Sequence, residues 1–509
     1  MRRRTWQRLL TGGMLLLLFC LAARFTGVSL PRFWSRRAHL GDIFARMCPP
    51  EWSFLPRLVW PLWSTLQMSL TGTALGSALA LGVAPLCSAN LCPAPLPRWI
   101  LRCFIQFLRS FPTLILALAA TFVFGLGAFA GTAAITVYTF AIMTRLTYED
   151  IESAPLGACH ALRSMGVSLP AAYVQAVVPE IGGSCLTNVL YLLEANVRHS
   201  AILGYVGAGG VGLLLNEKIS WLEYDRVGTI LLSLLAVVCL IELLSAWLTT
   251  LIRGDRRPGR AGKALLPAAA VLLLAGLFSL EGPDFSHTIP HTALRMLSGL
   301  VHPDWELVLR ADSSGLGWLL LETGSIALTG TALGAVISLP LALLGSGRLC
   351  PRPVALLFRG VSLAVRSIPV LIWGLILIRV TGPGAFTGVL TMAVCSVGLL
   401  TKRFTEAIDT LDMRPWNALS AMGVRPLHRL RHCLLPQLAP ALRSAVLYRF
   451  DVNLREASVL GIVGAGGIGA PLIFAMNHYD WSQAGTICLG LAAMIWAVDG
   501  LSSRLRRNS

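Results

Sequence analysis

Residues 190–212 read LYLLEANVRHSAILGYVGAGGVG, and 257 positions later residues 447–469 read LYRFDVNLREASVLGIVGAGGIG. Each stretch carries an acid and an arginine four residues apart and ends in a glycine run. Working outward from them, LTGTALG at 70–76 recurs at 328–334, and Arg109-Ser110-Phe111-Pro112 returns as Arg366-Ser367-Ile368-Pro369. Met165-Gly166-Val167 returns as Met422-Gly423-Val424. A register held within one residue over such a distance is a tandem duplication. Two equivalent halves in a membrane imply a pathway built from both, an arrangement common among transporters.

Composition places the chain in a bilayer. It is 55% hydrophobic and 13% charged, with a mean hydropathy of +0.69, far from a soluble domain of 509 residues. Runs of about 20 apolar residues are long enough to cross roughly 30 Å of hydrocarbon as helices. Six such helices are expected per copy. In the first copy they lie near 9–28, 63–86, 110–126, 129–147, 183–206 and 227–250. In the second they lie near 265–280, 318–345, 367–381, 384–401, 440–463 and 484–503. Residues 9–28 follow Arg2, Arg3, Arg4 and Arg8 like a leader peptide. No small-residue cleavage site follows and the second copy has an internal counterpart, so both segments read as retained helices.

The expected fold is therefore an all-α polytopic membrane protein of about twelve transmembrane helices. Residues 1–252 form a first six-helix unit, 253–263 a basic linker, and 264–509 a second six-helix unit. The net charge of +17 collects in short loops, including that linker, 348–359 and 504–507, as the positive-inside rule requires of cytoplasmic segments. That placement excludes a nucleic-acid partner and puts both termini on the cytoplasmic side of the membrane. Residues 31–61, with five arginines against two acids, break the pattern. The twelve cysteines show no C-x-x-C pairing and read as small packing residues. His287, His291 and His302 share an outward loop, but no acidic or cysteine ligands accompany them, so no metal site is expected.

Between the fourth and fifth helices of each copy lies a polar segment, YEDIESAPLGACHALRSMGVSLPAAYVQAVVP at 148–179 and TEAIDTLDMRPWNALSAMGVRPLHRLRHCLLP at 405–436. In each, a glycine (Gly166, Gly423) stands thirteen residues before a proline (Pro179, Pro436). A short helix ending near the glycine, a turn, and a second piece leading to a helix-starting proline account for this spacing. The segments resemble the cytoplasmic EAA loop of ABC importer permeases, E-A-A-x-x-x-G-x9-I-x-L-P, which docks on an ATPase subunit. The opening glutamate is replaced by His160 and Asn417. The resemblance implies docking through His160, Ala161 and Gly166 in one copy and Asn417, Ala418 and Gly423 in the other.

The order E-A-I-D (406–409), A-M-G (421–423), L-L-P-Q (434–437), L-Y-R-F-D-V-N-L-R (447–455), V-G-A-G-G-I-G (463–469) and L-S-S-R-L-R (501–506) is similar to the phosphonate-type permease branch of the ABC importers. The first copy keeps Glu149, Met165-Gly166, Tyr191, Asn196, Arg198 and the glycine run, but has Val-Val-Pro-Glu at 177–180. This resemblance implies import of phosphonate, phosphite or a related oxyanion. It also implies an ABC ATPase homodimer that uses ATP and Mg, and a periplasmic or lipid-anchored substrate-binding protein. The chain itself is then no enzyme and binds no cofactor.

Two constellations remain. Gly207, Gly209 and Gly210, with Gly464, Gly466 and Gly467 in the second copy, belong to runs that satisfy G-x-G-x-x-G. That fingerprint requires a βαβ unit, whereas here it follows a membrane-length helix. The glycines read instead as an outer turn or gate, and no G-x-x-x-x-G-K-[ST] loop exists. Glu194 with Arg198, and Asp451 with Arg455, place ionisable groups inside the fifth helices, where they are costly and normally face a cavity or the bundle interior. One reading lines a substrate pathway with Arg198, Arg455, Asn196, Asn453, Glu194 and Asp451. The other has each acid–arginine pair neutralise itself and brace its helix. An ion-coupled secondary transporter of parallel repeats is the alternative function, and it leaves the paired loops without a purpose.

Overall fold

The computed structural model describes residues 17–252 and 292–507, with residues 13, 276 and 282 beside them. The linker at 253–263, most of 265–280, and His287 and His291 lie outside the described residues. The first copy runs through α1 (Leu30–Met47), α2 (Leu55–Cys87), α3 (Pro95–Arg109), α4 (Thr113–Phe124), α5 (Ala128–Ser153), α6 (Gly157–Ser164), α7 (Val178–Leu203), α8 (Val211–Ser220) and α9 (Tyr224–Ile252). The second runs through α10 (Thr292–Val301), α11 (Leu316–Gly345), α12 (Arg352–Ser367), α13 (Val370–Thr381), α14 (Ala385–Thr410), α15 (Arg414–Ala421), α16 (Leu435–Leu460), α17 (Gly469–Asn477) and α18 (Trp481–Arg507).

Among the described residues, seven helices have the length and apolarity to cross a membrane, and two bent pairs, α3 with α4 and α12 with α13, reach that length only when each pair is taken together. The remaining three of the twelve expected segments are α16 and the first segment of each copy. α16 falls short in apolarity because it carries Arg443, Arg449, Asp451, Arg455 and Glu456. The expected third helices, 110–126 and 367–381, are corrected to arms of 12 residues each, α4 and α13. At 1.5 Å per residue such an arm covers about 18 Å, short of the hydrocarbon thickness. Each arm starts right after Pro112 or Pro369, where proline ends the preceding helix. Residues 31–61, expected as a loop, are mostly helical: they hold α1 and the start of α2.

The principal packing in each copy joins α2 to α5 and α11 to α14, and the repeated LTGTALG explains it. A Cβ on Gly72 would lie 2.7 Å from Ile135 Cγ2, and one on Gly76 2.6 Å from the Thr136 carbonyl oxygen. At Gly330 and Gly334 the intruding atoms would be Met392 Cβ and Ser396 Cβ, both at 2.4 Å. The motif is thus a small-x-x-x-small face. Without a hydrophobic drive between helices in lipid, close backbone approach supplies the association through dispersion contacts.

The compact units do not coincide with the sequence units 1–252 and 264–509. One compact unit comprises residues 44–295, the other residues 1–43 together with 296–509. Among the described residues, the first copy's opening segment therefore packs with the second copy's helices. Phe25 lies 4.8 Å from Trp318 between ring centroids, and Arg36 Nη1 donates to the Val380 carbonyl at 3.4 Å. Reciprocally, Gln67 Nε2 donates to the Gly276 carbonyl at 2.9 Å. Sequence repetition marks where a module was copied; side-chain complementarity marks where a helix buries itself, and here the two differ.

Candidate functional site

α7 and α16 begin at Pro179 and Pro436, each at the second helical position, where a missing N–H costs nothing. In α7, Arg198 Nη1 pairs with Glu194 Oε1 at 2.8 Å; in α16, Arg455 Nη2 pairs with Asp451 Oδ2 at 2.6 Å. The i, i+4 spacing puts each pair on one helix face, as expected. All four side chains are largely sequestered. Among the described residues, Asp451 Oδ1 is buried with no hydrogen-bond partner, so this site holds acceptor capacity that the protein does not use.

The two asparagines belong elsewhere. Asn196 and Asn453 are fully buried. Asn196 Nδ2 donates to Thr73 Oγ1 and Thr139 Oγ1, both at 2.8 Å. Asn453 Nδ2 donates to Thr331 Oγ1 at 2.6 Å and to Ser396 Oγ at 2.8 Å. Each amide joins three helices of its own copy: α2, α5 and α7, or α11, α14 and α16. Both of its protons are used in packing, while its Oδ1 is buried with no hydrogen-bond partner among the described residues. Their position, two residues from the acid and two from the arginine, puts them on the opposite side of the helix.

One pair escaped the sequence reading. Arg449, 2% exposed, donates from Nη2 to Glu456 Oε2 at 2.9 Å and from Nε to Ser396 Oγ at 3.3 Å. The aligned stretches place Leu192 opposite Arg449 and His199 opposite Glu456. In the first copy His199 Nδ1 instead shares a hydrogen bond with Thr113 Oγ1 at 2.8 Å and lies 5.3 Å from the Tyr138 ring. The same position of the duplicated fold thus holds an ion pair in one copy and an aromatic cluster in the other. The signal was visible in the aligned lines as two changes of charge seven residues apart, Leu192 to Arg449 and His199 to Glu456.

The glycine runs form turns as expected. Gly207, Gly209 and Gly210 have φ of +81°, +78° and +79°, and Gly464, Gly466 and Gly467 of +79°, +82° and +79°. This is the left-handed region, costly for any residue with a Cβ. The turns are tied down: Gly127 N donates to Gly207 O at 3.0 Å and Gly384 N to Gly464 O at 2.9 Å. Thr65 Oγ1 accepts from Val211 N at 2.9 Å, and Thr323 Oγ1 from Ile468 N at 3.0 Å. Each run is a fixed corner joining α7 to α8 or α16 to α17.

The polar segments fold as the spacing requires. α6 carries His160 and Ala161, both exposed, and ends before Gly166 at φ +87°; α15 carries Asn417 and Ala418, both exposed, and ends before Gly423 at φ +74°. A π-helical turn, Tyr173–Val177 or Leu430–Leu434, then leads into the fifth helix. Beneath the first segment, Cys159, Ala172, Tyr173 and Val177 pack on Ala84 and Ile151, so the loop rests on the ends of α2 and α5. Met165 and Met422 stand 78% and 76% exposed at the tips. The second segment is more basic, and Arg429 stacks over the Trp416 ring at 4.8 Å.

Residues 72–258 and 334–508 each match the family described as binding-protein-dependent transport system inner membrane component. The chain is 29% identical to the phosphate-import permease protein PhnE of Mycolicibacterium smegmatis, over 91% of this chain and 88% of that one. It is 37% identical to the phosphite transport system permease protein PtxC of Stutzerimonas stutzeri, over 39% of this chain and 73% of that one. Among solved structures, a chain of the MetNI methionine ABC transporter is 21% identical, covering 38% of this chain and 96% of that one at a TM-score of 0.35.

Proposed function

The chain belongs to the binding-protein-dependent transport system inner membrane components, and on that premise we propose that it supplies the whole transmembrane part of an importer for a phosphorus oxyanion. Its relatives are named for phosphate and phosphite, and Arg198 and Arg455 give each fifth helix a cation with which to meet such an anion. Glu194 and Asp451 temper that charge, so that the arginines attract an anion without trapping it. The fused duplication stands in for two separate permease subunits.

The observation that carries the reading is the duplicated docking element: in each copy an exposed short helix, a left-handed glycine and a π-helical turn run into the fifth helix. An ATPase pressing on α6 or α15 acts on a rigid lever, because the loop's apolar side is packed on the ends of the neighbouring membrane helices. A partner ATPase dimer then binds ATP and Mg, and a substrate-binding protein on the opposite face delivers the anion. With two identical ATPase subunits, one meets His160 and the other Asn417, so the two contacts differ. We place the chain in a bacterial inner membrane with both termini on the ATPase side. A secondary transporter would have no use for paired docking loops.

The test is uptake into vesicles that hold the chain with its ATPase and binding protein, using labelled phosphite, phosphate and methylphosphonate. Uptake that requires ATP and favours one of these anions supports the reading. Uptake that proceeds without ATP, driven by an ion gradient, overturns it.

A further inference from the structure

In each copy one helix turns across the span that follows it. α3 and α4 meet at 93°, and α12 and α13 at 89°. Within the first pair, α4 carries no charged residue, while α3 carries Arg98, Arg102 and Arg109. α4 is therefore the arm that enters the hydrocarbon, and α3 lies crosswise to it.

The polar side of α3 is turned inward and satisfied. Arg98 Nη1 donates to the Cys92 carbonyl at 3.0 Å, and Arg109 Nη1 to Gln106 Oε1 at 2.7 Å. Arg102 Nε donates to the carbonyl of Cys87, the last residue of α2, at 2.7 Å. Its Nη2 pairs with Glu152, next to the end of α5, and its guanidinium lies 4.5 Å from the Tyr148 ring centre. The second copy repeats the backbone bond and the ion pair of this clamp at the matching positions. Arg359 Nε donates to the carbonyl of Gly345, the last residue of α11, and its Nη2 pairs with Asp409, next to the end of α14, both at 2.8 Å. Both clamps lie where the chain leaves for the docking loop. α3 and α12 are thereby held at the docking-loop end of their copies.

Their other side is apolar and uncovered. On α3, Leu96, Trp99, Ile100 and Phe104 are all at least half exposed, at the i, i+3, i+4, i+8 spacing of one helical stripe. On α12, Leu356, Leu357 and Val361 are exposed in the same way. Apart from the Trp99 indole, these side chains offer no hydrogen-bonding or charged group for a protein partner to recognise. A crosswise helix at a span's end, with polar groups bound inward and an apolar edge outward, has the geometry of a helix lying in the membrane interface.

We propose that α3 and α12 are in-plane helices whose apolar stripes are seated in phospholipid, at the headgroup–acyl boundary on the docking-loop side. Arg102 and Arg359 then fasten the stems of both docking loops to elements the bilayer holds in place. The loop moves against a frame anchored in lipid, and an indole at that depth suits Trp99, which joins an apolar ring to one donor.

Photocrosslinking tests this in the full chain in its native membrane. p-Benzoylphenylalanine is introduced singly in place of Trp99, Phe104, Leu356 or Leu357, with Ile105 (2% exposed) as the inward control, and products are identified by mass. Phospholipid adducts at the four outward positions, with roughly tenfold fewer at Ile105, are the expected result for a helix seated in the interface. Adducts to a second copy of the chain or to the ATPase at those positions overturn the proposal. So does recovery of unreacted, water-facing label at all four. The lipid contact is read without any transport measurement, so it stands or falls independently of the substrate.

Discussion

Charge-neutral replacement of the fifth-helix pairs separates their two readings. Arg198→Gln alone takes the arginine from the Glu194 carboxylate, whose residue is 9% exposed, and Arg455→Gln takes it from Asp451, at 4%. Breaking a buried pair from one side costs about 3–5 kcal/mol, because the remaining charge is left without compensation. A single arginine variant would thus lose function through instability whether or not the arginine touches substrate. Replacing both partners by neutral isosteres is close to neutral for stability. The informative variant is therefore Glu194→Gln/Arg198→Gln/Asp451→Asn/Arg455→Gln. A charge-assisted hydrogen bond is worth about 1.5–3 kcal/mol, so loss of both guanidinia should lower uptake at limiting substrate by at least about tenfold. Thermal unfolding in detergent and co-purification with the ATPase should stay near wild type. The assay is ATP-driven oxyanion uptake in proteoliposomes, paired with basal ATP hydrolysis. Wild-type uptake by the neutral variant would refute the pathway role and leave the pairs as helix braces.

Three further outcomes follow from the geometry. A Cβ at Gly212 would sit 2.3 Å from the Ala201 carbonyl oxygen, and at Gly469 2.0 Å from that of Ser458; Gly212→Ala and Gly469→Ala should each destabilise by about 1–3 kcal/mol or more. Gly166→Ala meets open space and should cost only the left-handed penalty of about 1–2 kcal/mol; thermal melts of the three rank them. Asn196→Ala removes two buried hydrogen bonds and should lower stability by about 1–2 kcal/mol in the same melts, with the substrate preference of uptake unchanged. Glu51 is held below its usual 4.5 by hydrogen bonds from Arg226 and Ser53. A depressed carboxyl contributes stability that is fully present above the unfolded value and lost as pH falls through the folded one. Glu51→Gln should therefore lower the neutral plateau of the stability–pH curve and flatten its acid limb below about 4.5.

The fifth helices show how far reading residues along a chain reaches. The pairing of Glu194 with Arg198 and of Asp451 with Arg455 followed from i, i+4 spacing, because a helix brings those positions together whatever surrounds it. The left-handed glycine corners were legible for the same reason: consecutive glycines after an apolar helix leave few alternatives. Contacts across helices were not. The bonds of Asn196 to Thr73 and Thr139 join positions more than fifty residues apart, and nothing local distinguishes an asparagine facing a cavity from one facing a hydroxyl. Arg449 escaped because its partner lies seven positions away, two turns up the same helix, outside the nearest-neighbour spacings.

The sequence by itself determined that the chain is a duplicated all-α membrane protein, where its paired polar loops lie, and which charges enter the fifth helices. Those features are written in apolar run length, repeated motifs and helical spacing, all of which are local or self-referential. Only the tertiary structure decided that the first copy's opening segment packs with the second copy's helices, and that α3 meets α4 and α12 meets α13 near 90°. It also decided that the asparagines belong to the core while the arginine clamps hold the docking-loop ends. These depend on which surfaces fit together in three dimensions. Packing complementarity between distant segments leaves no periodic trace along a single chain.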